Sequence, residues 1–388
     1  MKFISLTLLS ICCLVTCSHA GTNPYVGLSI SSKDSLIRCR IDSIRKNFQN
    51  VGLYAVAVNN SKIVYSKSFG CSDLIKKDSI KENDLFLIAS VSKPFVGTAI
   101  MQLVEKKKIS LDDDVNKYLD YSVRNPRFPQ APITVKMLLC HRSGLKRSSP
   151  FRGNFIDIFI EGEKDKLMSM YEEFMPGTGI SYSNMGFDIL GAVIEKVTGN
   201  RFDEYVDKNI LKPLGIYGGY DISRLDTGRF VRTYSYKDGQ FRKLSTVYSK
   251  EAIKKYKLGY SINKLWPAGG MVISADDLAK FMIAHMNKGE MTGKRRILSK
   301  HSEECLWERQ SETNHGLSFV HFMGILPEVD LIGMSGGARG IHSYMLFEPN
   351  EKFGFVVICN GCTSKSVDGS DMNKLIVREL YNAFIDCK

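Results

Sequence analysis

Residues 51–58 form an unbroken run of apolar and small side chains that stops at Asn59-Asn60, and residues 62–70 take up a second β-type run. The pair predicts a hairpin. Upstream, Ile37, Ile41, Ile44 and Phe48 recur at helical spacing over residues 35–50, the mark of an amphipathic helix. Three further β-type runs come late, at 318–325, 342–347 and 353–359, with Pro349-Asn350 as the turn between the last two. A closing helix over 372–385 carries Leu375, Ile376, Leu380, Tyr381 and Phe384. Between these ends the pattern is helical. Helices are predicted at 133–139, at 185–199 before Gly199, and at 201–211 before Pro213. Ser274-Ala275-Asp276-Asp277 reads as a capping box opening a helix that runs through His285. No internal repeat or low-complexity segment interrupts this order. The reading is a mixed α/β domain of the α+β type, made of residues 21–105 and 265–388, into which a mostly helical domain, 106–264, is inserted.

Composition narrows the class. The chain has 388 residues, 44% hydrophobic and 24% charged, the balance of a soluble globular protein. Residues 1–20 stand apart: Lys2, an apolar run over 3–15 too short to span a bilayer comfortably, then Ser18-His19-Ala20 as a small-x-small cleavage site. They read as a secretory signal, and the mature chain is expected in the periplasm or secreted. A competing reading takes Leu14-Val15-Thr16-Cys17 as a lipobox with Cys17 lipidated. Thr before that Cys is unusual, so simple export is favoured and membrane attachment is expected only if Cys17 carries a lipid. Of ten cysteines, seven remain after Cys12, Cys13 and Cys17 are removed, and they are scattered. Cys359 and Cys362 form the one C-x-x-C. It lacks zinc-type histidine spacing and reads as a strand end whose thiols pair only in an oxidising compartment. The net charge is +12, and residues 224–264 hold eleven Lys/Arg against three acids. On an exported chain this stretch reads as a solvated face, with no nucleic-acid partner. Asp112-Asp113-Asp114 is adjacent rather than alternating, so capping accounts for it better than calcium. His141 reads as a residue closing a helix, with nothing nearby in sequence to pair with it.

The candidate chemistry begins at Ser90-Val91-Ser92-Lys93, which opens a helix through Ile100, Met101, Leu103 and Val104. A three-residue spacing puts Lys93 on the same face as Ser90. Serine alone is a poor nucleophile and needs a base or cation beside it. Ser-x-x-Lys is a known nucleophile motif of that kind, although Ser90 as an N-cap and Lys93 as a solvated residue would give the same letters. Tyr182-Ser183-Asn184 is the second candidate, before the 185–199 helix. Neighbouring cations would lower the phenol and make it a base. The plain alternative is a turn in which Asn184 caps the helix. The third is Gly333-Met334-Ser335-Gly336-Gly337-Ala338-Arg339-Gly340, read as a glycine loop that lets backbone N–H groups approach a ligand, against a simple hairpin connection.

Taken in order, these stretches resemble the serine β-lactamase-related superfamily, in particular its class C β-lactamase, family VIII carboxylesterase and D-alanyl-D-alanine peptidase branch. The resemblance also takes in 108–113, 138–145, Gly186, Leu190-Gly191, Pro213-Leu214-Gly215 and Ala268-Gly269-Gly270. It implies a β-lactamase/transpeptidase-like fold, an antiparallel sheet flanked by helices with an inserted α-helical domain and the site between them. It implies Ser90 as acylated nucleophile, Lys93 as its activating cation or base, and Tyr182 as general base and then proton donor to the leaving group. Asn184 would hold the substrate amide, Ser335, Gly336 and Gly337 would line the substrate, and the Ser90 and Gly337 N–H groups would form the oxyanion hole, with no metal or cofactor. One departure matters: the third motif begins with Lys in lactam-hydrolysing members and often His in esterase-like ones, where this chain has Met334. A thioether is neither cation nor proton donor, and Arg339 is the nearest replacement in sequence. The expectation is an exported serine hydrolase acting on an uncharged or undemanding ester, amide or peptide, small or cell-wall derived. The alternative is a catalytically weak penicillin-binding-like protein that holds such a ligand.

Overall fold

Alternate residues of strand β1 (Gly52–Asn59) serve different cores. Tyr54, Val56 and Val58 join one apolar cluster; Leu53, Ala55 and Ala57 join another on the opposite face. A strand covered on both faces has no polar positions, which is why 51–58 reads as continuous apolar sequence. The computed structural model describes residues 23–244, 253, 255–291, 295–310, 313–338, 340–361 and 370–386. The leader at 1–20, Arg339 and Cys362 lie outside the described residues.

β1 turns into β2 (Lys62–Asp73), which ends against the short β3 (Asp78–Ser79). On its other side β1 pairs with the last strand, β12 (Phe353–Asn360). β11 (Ile341–Glu348), β10 (Val329–Ala338) and β9 (Val320–Leu326) continue outward, and the seven strands run β3-β2-β1-β12-β11-β10-β9, antiparallel at every pairing. β10 corrects the expectation of a loop at 333–340. Glycine is disfavoured in strands by propensity, but here its lack of a side chain is what the packing needs, as the site shows. β9 pairs with β10 only as far as Gly333, so the outer edge of β10 has no strand partner among the described residues from Met334 onward.

Helices α1 (Ile30–Asn47) and α10 (Ser370–Phe384) cover one face, with Ile37 and Ile41 of the first and Met372, Ile376, Val377 and Leu380 of the second buried on the sheet. α1 begins before the predicted start because the Ser29 hydroxyl accepts the Ser32 N–H. The other face is covered by α8 (Ala275–Met286), capped by Ser274 as expected. Next to it α2 (Lys93–Glu105) is buried from Lys93 through Leu103, with Phe95 stacked on Phe281 at 3.8 Å. Thr98 of α2, His285 of α8 and Glu303 of α9 (Lys300–Trp307) form a buried polar link (3.2 and 2.7 Å) across these three helices.

The 106–264 segment supplies α3 (Val135–Leu139), α4 (Phe155–Glu161), α5 (Lys164–Ser169), α6 (Asn184–Thr198) and α7 (Phe202–Val206). It also carries strands. β5 (Gly218–Gly219) joins β4 (Phe86–Leu87) and β8 (Val272–Ile273) in a three-stranded sheet, and β6 (Tyr234–Lys237) with β7 (Gln240–Lys243) forms a hairpin. Leu138, Ile156, Ile189 and Leu190 of this segment share the cluster that holds Tyr54 and Val56, so one core runs from the sheet into these helices. Part of the basic stretch is anchored, since Lys243 and Arg232 approach Asp73 at 3.0 and 3.9 Å. Asp114 caps the turn after it by accepting the Asn116 N–H, and Asp113 accepts the Ser110 N–H. No helix among the described residues is long and apolar enough to cross a membrane.

Candidate active site

β4 delivers the chain to Ser90. Its pairing with β8 continues in the Ile88 N–H donating to Met271 O, after which Ala89 turns back with φ +48° and a single 3-10 turn, Ala89–Ser92, leads into α2. Ser92 clamps this turn, donating to Ala89 O at 2.6 Å and accepting the Met271 N–H at 3.1 Å. From the sheet side, Ser343 Oγ donates to Ile88 O at 2.7 Å. A Cβ on Gly336 would lie 2.4 Å from Ser343 Oγ, 2.5 Å from Ile88 O and 3.0 Å from Ser90 N. The glycine thus lets β10 press its backbone against the Ser90 N–H. Gly337 follows, exposed at the open edge. Ser335 alternates to the opposite face with its pairing partner Tyr344, and the side-chain hydrogen bonds that join Ser90, Lys93, Tyr182 and Asn184 do not include it.

Lys93 is fully buried, and its Nζ donates to Ser90 Oγ (3.1 Å), Asn184 Oδ1 (2.8 Å) and Ala268 O (2.8 Å). Burial holds its pKa down to about 7, the Asp188 carboxylate opposing and Arg147 adding to the fall. Near neutrality the amine exists in both forms. As a neutral amine it has two protons for Asn184 and Ala268 and one lone pair for the Ser90 hydroxyl, which matches its three neighbours.

Tyr182 Oη donates to Ser90 Oγ at 2.6 Å. Its ring lies 4.8 Å from Lys93 Nζ, 5.1 Å from the Arg147 guanidinium carbon and 4.4 Å from the His141 ring. The expectation of a lowered phenol is overturned: burial raises the pKa, and the Ser90 hydrogen bond with the Arg147 charge only offsets that. Desolvation outweighs the cations, so Tyr182 rests as a phenol.

Asn184 opens α6 but does not cap it. Ser183 does, accepting the Gly186 N–H at 3.1 Å, which leaves Asn184 Oδ1 for Lys93. Asn184 Nδ2 has no hydrogen bond to any described residue. Met334 lies on the same face of β10 as Gly336, 4% exposed and within the apolar cluster. The cation that the family pattern puts there is absent, and its place is packed.

Three contributors were out of reach of the sequence reading. Asp188, one turn after Asn184, is buried and accepts the Ala268 N–H at 3.0 Å, so it steadies the residue whose carbonyl holds Lys93. Burial pushes its pKa up to about 7 against that hydrogen bond and the Lys93 charge. The signal for it was a lone carboxylate inside the apolar 185–194 run. Ala268 acts only through its backbone. His141 does not merely close a helix: it is buried with φ +61°, and its Nδ1 accepts the Ser183 N–H at 3.0 Å. Its pKa is held well below the usual value by burial, then by Lys93 and His315, so it stays neutral and supports the irregular segment that carries Tyr182 and Ser183 into α6. His141→Phe leaves the buried Ser183 N–H without an acceptor and is expected to lower unfolding stability by about 1–3 kcal/mol. Urea denaturation measures this, and an unchanged midpoint at equal slope would refute the assignment.

The beta-lactamase family pattern matches residues 40–378. This chain belongs to the beta-lactamase family. Among members and relatives, this β-lactamase-family chain is 26% identical over 327 residues to protein flp of Staphylococcus aureus (strain MRSA252), covering 80% of this chain and 59% of flp. It is 32% identical over 167 residues to penicillin-binding protein 4* of Bacillus subtilis (strain 168), 42% of this chain and 36% of that protein. It therefore spans less than two thirds of the length of these relatives. In solved structures it is similar to an octameric penicillin-binding protein homologue from Pyrococcus abyssi (TM-score 0.70, 24% identity, 91% of this chain and 77% of that one). It is similar also to the D-amino acid amidase of Ochrobactrum anthropi SV3 (TM-score 0.70, 19% identity, 91% and 99%). At such identities the likeness is one of fold, and it matches the mixed α/β architecture with its large antiparallel sheet.

Proposed function

We propose that this chain is a serine hydrolase that cleaves an ester, amide or peptide bond through an acyl-enzyme on Ser90. The observation that carries the reading is the double contact on Ser90 Oγ, Lys93 Nζ at 3.1 Å on one side and Tyr182 Oη at 2.6 Å on the other. A nucleophile, a base and an acid within hydrogen-bond reach are what acyl transfer requires. In the proposed step Ser90 Oγ bonds to the carbonyl carbon and its proton passes to neutral Lys93. The carbonyl oxygen takes up charge against the Ser90 and Gly337 N–H groups. The bond to the leaving group then breaks, that group takes the Tyr182 proton, and Lys93 returns a proton to Tyr182. Water reverses the sequence to release the acid. Asn184 Nδ2 faces the substrate amide in this scheme.

A second reading, a weak catalyst that binds cell-wall fragments or another ligand in the same cleft, is favoured by the buried Met334 in place of a cation. Intact-mass spectrometry with a fluorophosphonate, a penicillin and a short-chain p-nitrophenyl ester separates the two. The expected result is an adduct or turnover lost in Ser90→Ala. Folded protein that forms no adduct with any reagent would overturn the hydrolase reading in favour of binding.

A further inference from the structure

Met334 puts no positive charge at its own place on β10, but a cation stands on the helical side. Arg147 is exposed, two residues beyond the 141–145 stretch, and its guanidinium carbon sits 5.1 Å from the centre of the Tyr182 ring. That ring's hydroxyl touches Ser90 Oγ. The residue is fixed at its backbone, since Arg147 O accepts the Asn184 N–H at 2.9 Å. Arg147 therefore borders Asn184. It forms no ion pair with any described residue, whereas ten other described arginines do. An unpaired guanidinium held on an aromatic face beside a nucleophile is arranged for a planar anion, which its fork of donors matches two bonds at a time.

We propose that Arg147 binds an anionic group on the acyl part of the substrate, so that this chain selects acyl donors ending in a carboxylate. The proposal rests on the acyl-enzyme reading for its orientation and revises the expectation of an uncharged substrate. Recognition has moved from the third motif, now filled by Met334, to the loop before α4.

The test pairs p-nitrophenyl hexanoate with mono-p-nitrophenyl adipate, equal in chain length and different in terminal charge. The ratio of kcat/KM, adipate over hexanoate, is the readout. It is expected to fall about tenfold in Arg147→Gln, to fall further in Arg147→Glu, and to be partly kept in Arg147→Lys. A ratio unchanged in Arg147→Gln and Arg147→Glu, with hydrolysis still dependent on Ser90, overturns the proposal and leaves the hydrolase reading standing. If wild type turns over neither ester and folded protein is also unlabelled by the fluorophosphonate, the hydrolase reading fails instead. Binding of the adipate monoester to folded Ser90→Ala then decides on Arg147 by itself: affinity lowered about tenfold by adding Arg147→Gln upholds it, and unchanged affinity refutes it.

Discussion

Lys93→Met is expected to slow acylation of Ser90 by roughly 10²–10⁴-fold, the range of a positioned general base. Methionine keeps the buried volume but has neither a basic atom to take the Ser90 proton nor donors for Asn184 and Ala268. The rate of fluorophosphonate labelling measures this, and labelling within threefold of wild type would remove Lys93 from the chemistry. The pH dependence carries the same idea with a sign. If Lys93 acts as a neutral amine, as proposed, acylation should be weak in acid and rise through about pH 7 as its ammonium loses a proton. Its charged neighbours pull in opposite directions. Asp188 favours the ammonium, so Asp188→Asn should move the rising limb to lower pH. Arg147 disfavours it, so Arg147→Gln should move the limb to higher pH. Asp188 and Lys93 both titrate near 7 in contact with one network, so the wild-type limb belongs to the pair. Shifts in the same direction for both variants would contradict Lys93 as the titrating base.

Gly336→Ala has the second large effect. Its Cβ would meet Ile88 O at 2.5 Å and Ser90 N at 3.0 Å, both backbone atoms, so either β10 or the Ser90 turn must shift. Misplacing an oxyanion donor costs about 10²–10³-fold in rate, and overpacking adds about 1–3 kcal/mol of instability. Gly337→Ala is the comparison, because its Cβ meets only the His342 ring, at 3.6 Å, an ordinary contact. Labelling rates and denaturation midpoints for the two variants check the order. A milder loss in Gly336→Ala than in Gly337→Ala would show that the close approach of β10 to Ser90 is not what matters.

Short-range patterns were legible in the sequence. Ser90 and Lys93 are one turn apart, Tyr182 lies just before an amphipathic helix that Asn184 opens, and both placements follow from local spacing. The glycine run was misread because propensity averages over strands that pack side chain on side chain, while β10 packs backbone on backbone. Lys93 was readable as a partner of Ser90 but not as a buried one: its other two acceptors lie 91 and 175 residues away. The direction of the Tyr182 shift was hidden for the same reason, since cations can be counted in a sequence and desolvation cannot. Asp188 and Arg147 entered no motif because their meaning lies in what the fold sets beside them.

Ala89 is one of fourteen non-glycine residues with positive φ among the described residues, and it immediately precedes Ser90. A left-handed alanine costs about 1–2 kcal/mol that glycine would not. Durability and activity are therefore opposed at this one position. A population of variants screened for survival on heating alone would be drawn to glycine there, and would relax the turn that aims the Ser90 hydroxyl.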